Sequence, residues 1–509
     1  MAPGKTGLIQ NINCEVGCMQ NFHSTLSRRD FMKGIGLAGA GFGAAAATAP
    51  VFRDLDEGAS IAANTYKKNP WWVKERNYCD PTTPIDWDVW KPFDATHYDY
   101  IGGQYSEEYL TQIGMPSMFK EDVESRRPRI ASRLGKPGYS MQDWAFCQGA
   151  RNVTSIMCHN EFGQPFSMFL GDKAMMDMIN TPEELGLANY EGTPEYNALM
   201  IKSAVRFFGG TDVRFLPVDE KTIRLLNVGD SRHPDQPYVW EDGIDWPYET
   251  MTKRAIPTKN AHMLIFSYNG SFDGTVRSPS WISNGVAYNQ CLSGDIIQLY
   301  LQRFFKGLGY WLVGGDDYPG IASYPGAGTM SGFGEIGRIG HTVHWEKWMR
   351  STRLLITNLP LPADNPIDFG VVSFCTTACK KCAEFCPVSA IKMDSEPSWE
   401  LATDPSNPYL KPQNFNNPGR KTWYLNQAGC FSNWCLTDTF CGICMGECVF
   451  NKLADSSIHE VVKPVIANTT LMNGFFFNMD KAFGYGCLPE DQWEDWWTLG
   501  DKMPIHGIG

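Results

Sequence analysis

Two dense runs of cysteine in the C-terminal third constrain this chain more than any other feature of its sequence. Nine of the 16 cysteines lie between residues 375 and 448. The first run is FCTTACKKCAEFCP, residues 374–387, and the second is CGICMGEC, residues 441–448. Each ends in the spacing C-x2-C-x3-C, the kernel of the bacterial-type ferredoxin sequence that binds a [4Fe-4S] cluster. Because the last cysteine of such a run ligates the neighbouring cluster, the two runs predict two clusters.

The same rule divides the cysteines into two groups of four. We expect the first set to be Cys375, Cys379, Cys382 and Cys448. The second set is Cys386, Cys441, Cys444 and Cys430, with Cys435 as the alternative to Cys430. Two departures from the ferredoxin pattern exist: three residues separate the first two cysteines, and Val449 follows the last one where proline is usual. Neither departure removes a ligand.

Zinc and disulfide bonds are the alternatives for so many cysteines. Structural zinc also uses C-x2-C pairs, but it does not need eight ligands in two copies of one spacing. Disulfides form outside the cytoplasm, yet cysteines two residues apart pair poorly with one another. The repeated spacing therefore favours two iron–sulfur clusters.

The N-terminal segment carries an export signal. SRRDFMK, residues 27–33, has the twin-arginine pattern, and an Ala/Gly-rich stretch follows over residues 34–50. Cleavage is expected between Ala49 and Ala63. The twin-arginine route moves folded proteins, which suits a chain that receives its clusters in the cytoplasm. No later stretch is long and apolar enough to span a bilayer, so we expect a soluble mature protein or one held at the membrane by a partner.

Composition and patterning predict a globular protein of mixed α and β structure. The chain has 509 residues and a net charge of −12, which gives no reason to expect a nucleic-acid partner. Apolar periodicity predicts a helix at 195–210, strands at 212–218 and 261–268, and a helix followed by glycine and a strand at 294–315. The expected organisation is a signal peptide at 1–50, an irregular wrapping segment at 51–140, a catalytic core at 141–369, a cluster-binding domain at 370–455 and a tail packed on the core at 456–509.

A glycine-rich motif, GFGEIGR, occupies residues 332–338. It satisfies G-x-G-x-x-G, but a loop precedes it and no acidic residue ends a second strand about twenty residues later, so a dinucleotide site is not expected. The glycines are expected to let the backbone approach another flat ligand. The candidate cofactor contacts are Gly332, Gly334, Glu335, Gly337 and Arg338, although Glu335 and Arg338 could instead form an ion pair that holds the loop.

Taken together, these motifs resemble those of the catalytic subunits of corrinoid-dependent reductive dehalogenases from organohalide-respiring bacteria. The resemblance comprises the twin-arginine box, LGY and the two cysteine runs. It also includes NPWWVKE, GFGEIGR and TNLPLPADNPIDFGVVSFC, and it extends over nearly the whole chain. It implies an α/β (α+β) fold, with a nitroreductase-like core that binds a base-off corrinoid and a ferredoxin-like domain with two [4Fe-4S] clusters. The absence of a D-x-H-x-x-G motif is consistent with that binding mode.

The resemblance also implies partners and a location. A halogenated organic compound would be the substrate, and a respiratory donor would supply electrons. A small multi-spanning membrane protein would anchor the enzyme on the outer face of the cytoplasmic membrane, and a homodimer is possible. The family does not reveal which organohalide is used.

Reductive dehalogenation needs a proton donor, and the resemblance suggests which residue provides it. The tyrosine that similar proteins use falls on Tyr288, in SNGVAYNQC, and its basic partner falls on Arg350, with Arg353 as the alternate. A cation beside a tyrosine stabilises the phenolate that remains after proton transfer. Either residue could instead have a structural role, the tyrosine as a packed core residue and the arginine in an ion pair. The asparagine that related proteins place after LGY is absent.

Two other functions fit part of the sequence. An exported electron-transfer subunit would also carry two clusters, but it would not need some 300 residues before them. An epoxyqueuosine-reductase-like enzyme also couples a corrinoid to two clusters, but it acts on tRNA in the cytoplasm. The export signal and the acidic charge balance both oppose that second alternative.

Overall fold

The computed structural model describes residues 69–96, 123–150, 162, 167–230, 233–315, 320–346, 350–401, 416–451 and 457–503. The predicted export signal lies outside these residues. Asn69–Asn478 and Tyr485–Gly509 group as one compact unit, and Met479–Gly484 belongs to a second. The predicted core and the predicted cluster-binding segment therefore fall in the same compact unit, to which the following description applies.

Strands are mostly short, and among the described residues two of them reach eight residues. In chain order they are β1 Lys74–Glu75, β2 Asp94–Ala95, β3 Asp212–Pro217, β4 Gly229–Asp230, β5 Tyr238–Glu241, β6 Tyr248–Glu249, β7 Arg254–Pro257, β8 His262–Asn269, β9 Leu312–Val313, β10 Glu335–Ile336, β11 Thr342–Val343, β12 Arg350–Thr357 and β13 Ile367–Asp368.

Thirteen α-helices occur among the described residues, and they carry seven of the cysteines. They are α1 Val123–Arg133, α2 Met141–Ala150, α3 Lys173–Asp177, α4 Pro194–Phe207, α5 Phe272–Thr275, α6 Trp281–Leu308, α7 Tyr324–Met330, α8 Val371–Thr377, α9 Lys381–Glu384, α10 Gln427–Thr437, α11 Ile443–Gly446, α12 Ser457–Asn468 and α13 Asn473–Ala482. Within the described ranges, no helix is long and apolar enough to cross a membrane.

A four-stranded antiparallel sheet forms the centre of the unit, in the order β3–β8–β12–β9. Strand β8 is one of the two inner strands of this sheet. It is buried along nearly its whole length, as expected for a strand covered on both faces. It pairs with β12 from Asn269 opposite Arg350 to His262 opposite Thr357. The strands predicted at 212–218 and 261–268 are confirmed. Strand β12 is not among the sequence predictions.

The longest element is helix α6, with 28 residues. It begins after Ser280, whose hydroxyl accepts the N–H of Ser283, and ends at Gly309 in the left-handed conformation. The sequence predicted this helix only from residue 294. The earlier residues include Gly285, which interrupts the apolar pattern but allows close packing. A Cβ there would lie 2.6 Å from the ring of Phe146 on α2.

The described part of the segment 51–140 contains few regular elements. Helix α1 covers eleven of its residues, and β1 and β2 cover two each. Within the same segment, β1 pairs with β13, which immediately precedes the first cysteine run. The NPWWVKE motif therefore lies against the strand that leads into the predicted cluster ligands.

Candidate active site and metal centres

The four cysteines of the first set lie near one another, although Cys448 is far from the other three in the sequence. Cys375 is in α8, Cys382 is in α9, Cys379 lies between these helices, and Cys448 follows α11. Burial raises the pKa of Cys382 well above its ordinary value, and the thiols of Cys375, Cys448 and Cys379 raise it further. Burial likewise raises the pKa of Cys375 to about 12.

The second set is grouped in the same way around Cys444 in α11. Burial raises the pKa of the Cys444 thiol well above its usual range, and Cys430, Cys441 and Cys386 raise it further. The side chain of Cys435, the alternative ligand, lies outside the described residues. The thiols of the same predicted set act most strongly on Cys382 and on Cys444, but Cys444 also acts on Cys382 and Cys448 also acts on Cys444. The division into two sets and the role of these thiols as iron ligands stay predictions.

The geometry of these thiols does not suit a single metal ion. Among the residues the structure describes, no three His, Cys, Asp or Glu side chains converge closely enough to hold one ion. A cubane cluster is bound differently, because each of its four irons takes one thiolate and the cysteines stand apart around it. Zinc and a cluster both bind thiolates, so the raised pKa values of these thiols do not distinguish between the two. Eight thiols in two groups are donors of the kind that two [4Fe-4S] clusters take, and cluster binding stays a prediction.

Arg338 holds the backbone of the first cysteine run. Its guanidinium donates to the carbonyl oxygens of Cys375 (2.7 Å) and Cys379 (3.2 Å), and also to those of Lys392 (2.8 Å) and Asp394 (2.6 Å). The side chain is buried, and its guanidinium stacks over the Trp423 ring, 4.6 Å from the centroid. Its contacts are therefore with the ligand loop of the first set.

Glu335, on the same loop, does not pair with Arg338. One carboxylate oxygen of Glu335 accepts the backbone N–H groups of Phe369 (2.7 Å) and Val371 (3.1 Å), at the start of α8. Burial and then the charge of Asp368 raise the pKa of Glu335 to about 7, although those two N–H groups oppose the shift. The alternative of a Glu335–Arg338 ion pair is therefore wrong, because the two side chains contact different backbone segments.

The glycines of GFGEIGR allow close approach to the protein's own backbone. Gly332 has φ +70°, and a Cβ there would lie 2.1 Å from the carbonyl oxygen of Asn365. A Cβ at Gly334 would lie equally close to the carbonyl oxygen of Val343. Neither these glycines nor Gly337 line the cavity described below. Their assignment as cofactor contacts stays a prediction without support from the described contacts.

A cavity of about 380 Å³ lies between the central sheet and the second set of cysteines. One wall is formed by α6 and the adjoining ends of β8 and β12, including Gln290 and Ser351. The opposite wall contains all four cysteines of the second set, Cys386, Cys430, Cys441 and Cys444, whereas none of the first set lines it. Its surface is mainly apolar, and the hydroxyls of Ser278 and Thr342 on it have no hydrogen-bond partner among the described residues. Buried polar groups of this kind normally bind something, so they fit a ligand with polar substituents.

Tyr288 lies close behind the cavity wall. It is buried in α6, and its ring packs against Phe440 with centroids 4.9 Å apart. Phe440 itself lines the cavity, as do Ala287 and Gln290 on either side of Tyr288 in the helix. Gln290 donates to the Ser351 hydroxyl (2.8 Å), which connects this part of α6 to the start of β12.

The two arginine candidates differ. Arg353 is fully buried and forms an ion pair with Asp295 on α6, and it also donates to the carbonyl of Cys291 (3.3 Å). The alternate candidate is therefore already engaged in a structural ion pair. Arg350 begins β12, next to the cavity residues Ser351 and Thr352, but its side chain lies outside the described residues.

Two cavity residues were missed by the sequence reading. His341 lines the cavity, and its side chain is exposed there. Thr342 follows it and carries one of the hydroxyls without a partner among the described residues. Both come directly after the GFGEIGR motif, so the loop does reach the cavity, a few residues later than predicted. No spacing in the sequence distinguishes them.

Comparison with known proteins identifies the family. Residues 68–236 match the family model for the reductive dehalogenase subunit. Chloroethene reductive dehalogenase of Dehalococcoides mccartyi strain VS is 30% identical, over 96% of this chain and 99% of that protein. The chain belongs to the reductive dehalogenase family. It is accordingly an oxidoreductase that acts on carbon–halogen bonds. Trichloroethene reductive dehalogenase of another Dehalococcoides mccartyi strain is 26% identical with the same coverage. Tetrachloroethene reductive dehalogenase of Sulfurospirillum multivorans is 28% identical over 50% of this chain and 48% of that protein.

Solved reductive dehalogenases share the fold. A structure reported with a mechanism for B12-dependent dehalogenation matches with a TM-score of 0.56 and 16% identity, over 81% of this chain. The catabolic reductive dehalogenase NpRdhA with 3-bromo-4-hydroxybenzoic acid matches with a TM-score of 0.55 at the same identity. This chain spans about half the length of those solved proteins, 49% in both cases. The expected mixture of helices and sheet is confirmed.

Proposed function

We propose that this dehalogenase replaces halogen by hydrogen on an organohalide, with a corrinoid and two [4Fe-4S] clusters as cofactors. The balanced reaction takes two electrons and one proton per carbon–halogen bond and releases one halide ion. Elimination of two neighbouring halogens would consume two electrons without a proton. The main supporting observation is the cavity between the central sheet and the four cysteines of the second set. A ligand bound there would contact the catalytic core and the proposed electron donor at the same time.

The cofactors are proposed on the donor groups of the site. The first set would hold one cluster and the second set the other. In support, the thiols that act most strongly on Cys382 and on Cys444 are those of their own sets. A base-off corrinoid would occupy the cavity, where Ser278 and Thr342 offer hydroxyls to its polar substituents. This implies a nitroreductase-like core and a ferredoxin-like segment. When bound, the clusters would supply single electrons and the corrinoid would supply the strong reductant that carbon–halogen cleavage requires.

Tyr288 is the proposed proton donor, with Arg350 as the cation beside it. Tyr288 is buried near the cavity, where a weak acid can hold its proton away from bulk water until it is needed. A neighbouring guanidinium would stabilise the phenolate that remains. The preference for Arg350 over Arg353 is supported by the ion pair that already neutralises Arg353.

Chlorinated ethenes are the proposed substrate class. The two relatives that match over 96% of this chain act, by name, on chloroethene and trichloroethene. The largely apolar cavity surface suits a small halogenated hydrocarbon better than a charged compound.

The enzyme is proposed to work on the outer face of the cytoplasmic membrane after twin-arginine export. A small membrane-anchor protein would hold it there, and a respiratory donor would deliver electrons to the clusters. In fractionated cells, the enzyme should then require detergent for release. Full recovery in the soluble fraction without detergent would contradict the anchor.

A halide-release assay tests the proposed reaction. Protein that contains both clusters and corrinoid is supplied with a low-potential one-electron donor and with individual chlorinated ethenes. We expect chloride release and a dechlorinated product. A Cys382→Ser variant should lose both its activity and one cluster. Cys79 belongs to neither set, so a Cys79→Ser variant should retain activity and both clusters. Fully loaded protein that releases no halide from any organohalide would overturn the proposal, and two clusters without bound corrinoid would favour an electron-transfer subunit.

A further inference from the structure

We propose that Arg338 raises the reduction potential of the cluster held by the first set, by keeping a positive charge without an acidic partner against the ligand loop. The inference rests on the proposed function, because it requires that cluster to be present. It assigns to Arg338 a positioning and electrostatic role at the iron–sulfur site in place of the predicted corrinoid contact.

The contacts of Arg338 concentrate on one cluster. Two of its four acceptors are the carbonyls of Cys375 and Cys379, both members of the first set. The other two, Lys392 and Asp394, lie shortly after the same cysteine run. Since Arg338 donates to no cysteine of the second set, its charge should act more strongly on the first cluster.

The charge of Arg338 has no acidic partner in the described structure. The side chain is 1% exposed, and no carboxylate among the described residues forms an ion pair with it. An arginine guanidinium does not lose its proton in proteins, so the full positive charge persists. In a buried site this charge is weakly screened. Reduction adds one negative charge to a cluster, and an adjacent cation stabilises that reduced form.

A second buried cation near the first cysteine run provides a contrast. Lys381 lies between Cys379 and Cys382 in sequence, but its ammonium group forms an ion pair with Glu447 (3.1 Å). Both side chains are buried, at 3% and 5% exposure. The positive charge of Lys381 is therefore balanced locally. Arg338 forms no such ion pair among the described residues, although the carboxyl of Glu335 acts on Cys375 in the opposite direction to Arg338.

This arrangement would affect the order of electron transfer. No cysteine of the first set lines the cavity, so the first cluster is farther from the proposed reaction site than the second. A higher potential makes the first cluster the favoured site for an electron arriving from an external donor. Arg338 would then help to load the enzyme with an electron before substrate is reduced.

A redox titration followed by electron paramagnetic resonance tests this role directly. The holoenzyme is compared with Arg338→Gln, which removes the charge, and with Arg338→Lys, which retains it. Lys380→Gln is the matched control, because Lys380 is on the same loop and its ammonium group contacts only the exposed hydroxyl of Ser395 among the described residues (3.1 Å). We expect a more negative potential for one cluster in Arg338→Gln, a smaller shift for the other cluster, and near wild-type potentials in Arg338→Lys and Lys380→Gln.

Equal potentials in wild type and Arg338→Gln would overturn the inference. Equal shifts in potential in Arg338→Gln and Arg338→Lys would also overturn it, and so would loss of clusters from both variants. In either case, a purely structural role of Arg338 in holding the ligand loop would explain the result. Arg338→Gln alone could fail to bind iron. In that case, wild-type cluster potentials in Arg338→Lys would support the need for a positive charge at residue 338, and shifted potentials in Arg338→Lys would contradict the inference. A wild-type protein without [4Fe-4S] signals would instead disprove the proposed function.

Discussion

At the scale of single residues, buried charges connect the two cysteine runs. The Lys381–Glu447 ion pair joins a residue of the first run to a residue of the second, and the other oxygen of Glu447 accepts the N–H of Cys487 (2.9 Å). Breaking a buried pair leaves an uncompensated charge, which is more costly than removing both partners.

Lys381→Met is therefore expected to lower the free energy of unfolding by about 3–5 kcal/mol. The double variant Lys381→Met/Glu447→Gln should lose less, because it leaves no isolated charge. Urea denaturation of the cluster-loaded protein measures both effects, with Lys380→Met as the exposed control. A double variant less stable than Lys381→Met would contradict this explanation.

Tyr288→Phe tests the proposed proton donor. Removal of a general acid lowers rates by roughly 10²–10⁴-fold, so halide release should fall by about this factor while the cluster spectra remain unchanged. Tyr300→Phe is the control on the same helix, because Tyr300 is half exposed and distant in sequence. Full activity in Tyr288→Phe would exclude this tyrosine as the donor.

At the scale of elements, helix α6 shows how packing overrides helix propensity. Two of its glycines have opposite surroundings. A Cβ at Gly294 would lie 2.4 Å from the hydroxyl of the buried Tyr268, whereas a Cβ at Gly307 would have its nearest neighbour 3.9 Å away. Alanine favours an exposed helix by about 0.5–1 kcal/mol relative to glycine, but overpacking costs about 1–3 kcal/mol.

Gly294→Ala should therefore destabilise the protein, while Gly307→Ala should leave its stability unchanged or raise it slightly. Thermal unfolding of the two variants in parallel provides the comparison. Equal effects of the two substitutions would show that the contact with Tyr268 does not restrict residue 294.

Helix α10 carries both candidates for the last ligand of the second set. Cys430 lines the cavity beside Cys441 and Cys444, and it acts electrostatically on Cys444. Cys430→Ser is expected to reduce the cluster content from two to one, and Cys435→Ser is expected to keep both. Iron and sulfide analysis measures the content. Loss of a cluster from Cys435→Ser, with both clusters kept in Cys430→Ser, would identify Cys435 as the ligand in place of Cys430.

At the scale of the whole molecule, the cysteine segment and the catalytic core form one compact unit. The first-set cysteines belong to an apolar cluster that includes Trp72 and Val73 from the start of the described chain and Ile466 from the tail. Loss of iron should therefore weaken more than the cysteine loops.

Removal of the clusters with a chelator under reducing conditions is expected to lower the unfolding temperature of the whole unit. Far-ultraviolet circular dichroism and tryptophan fluorescence should report one coincident transition, since buried tryptophans occur throughout the unit. Two separate transitions, with the upper one unchanged by iron removal, would show that the core folds independently of the cysteine segment.

The sequence alone determined those features that depend on local spacing. A spacing of two residues between cysteines predicts that both bind the same cluster, whatever the position of the run in the chain. Alternating or continuous apolar residues predicted strands β3 and β8. The start of α6 was missed because Gly285 resembles a break until the ring of Phe146 is seen packed against it.

Only the tertiary structure decided which distant groups meet. It engaged Arg353 with Asp295, and it directed Arg338 to the cysteine carbonyls and away from Glu335. These contacts depend on packing between segments far apart in the chain, for which local spacing contains no information. The physical reason is that a side chain's partner is set by the space and charge that other elements leave around it.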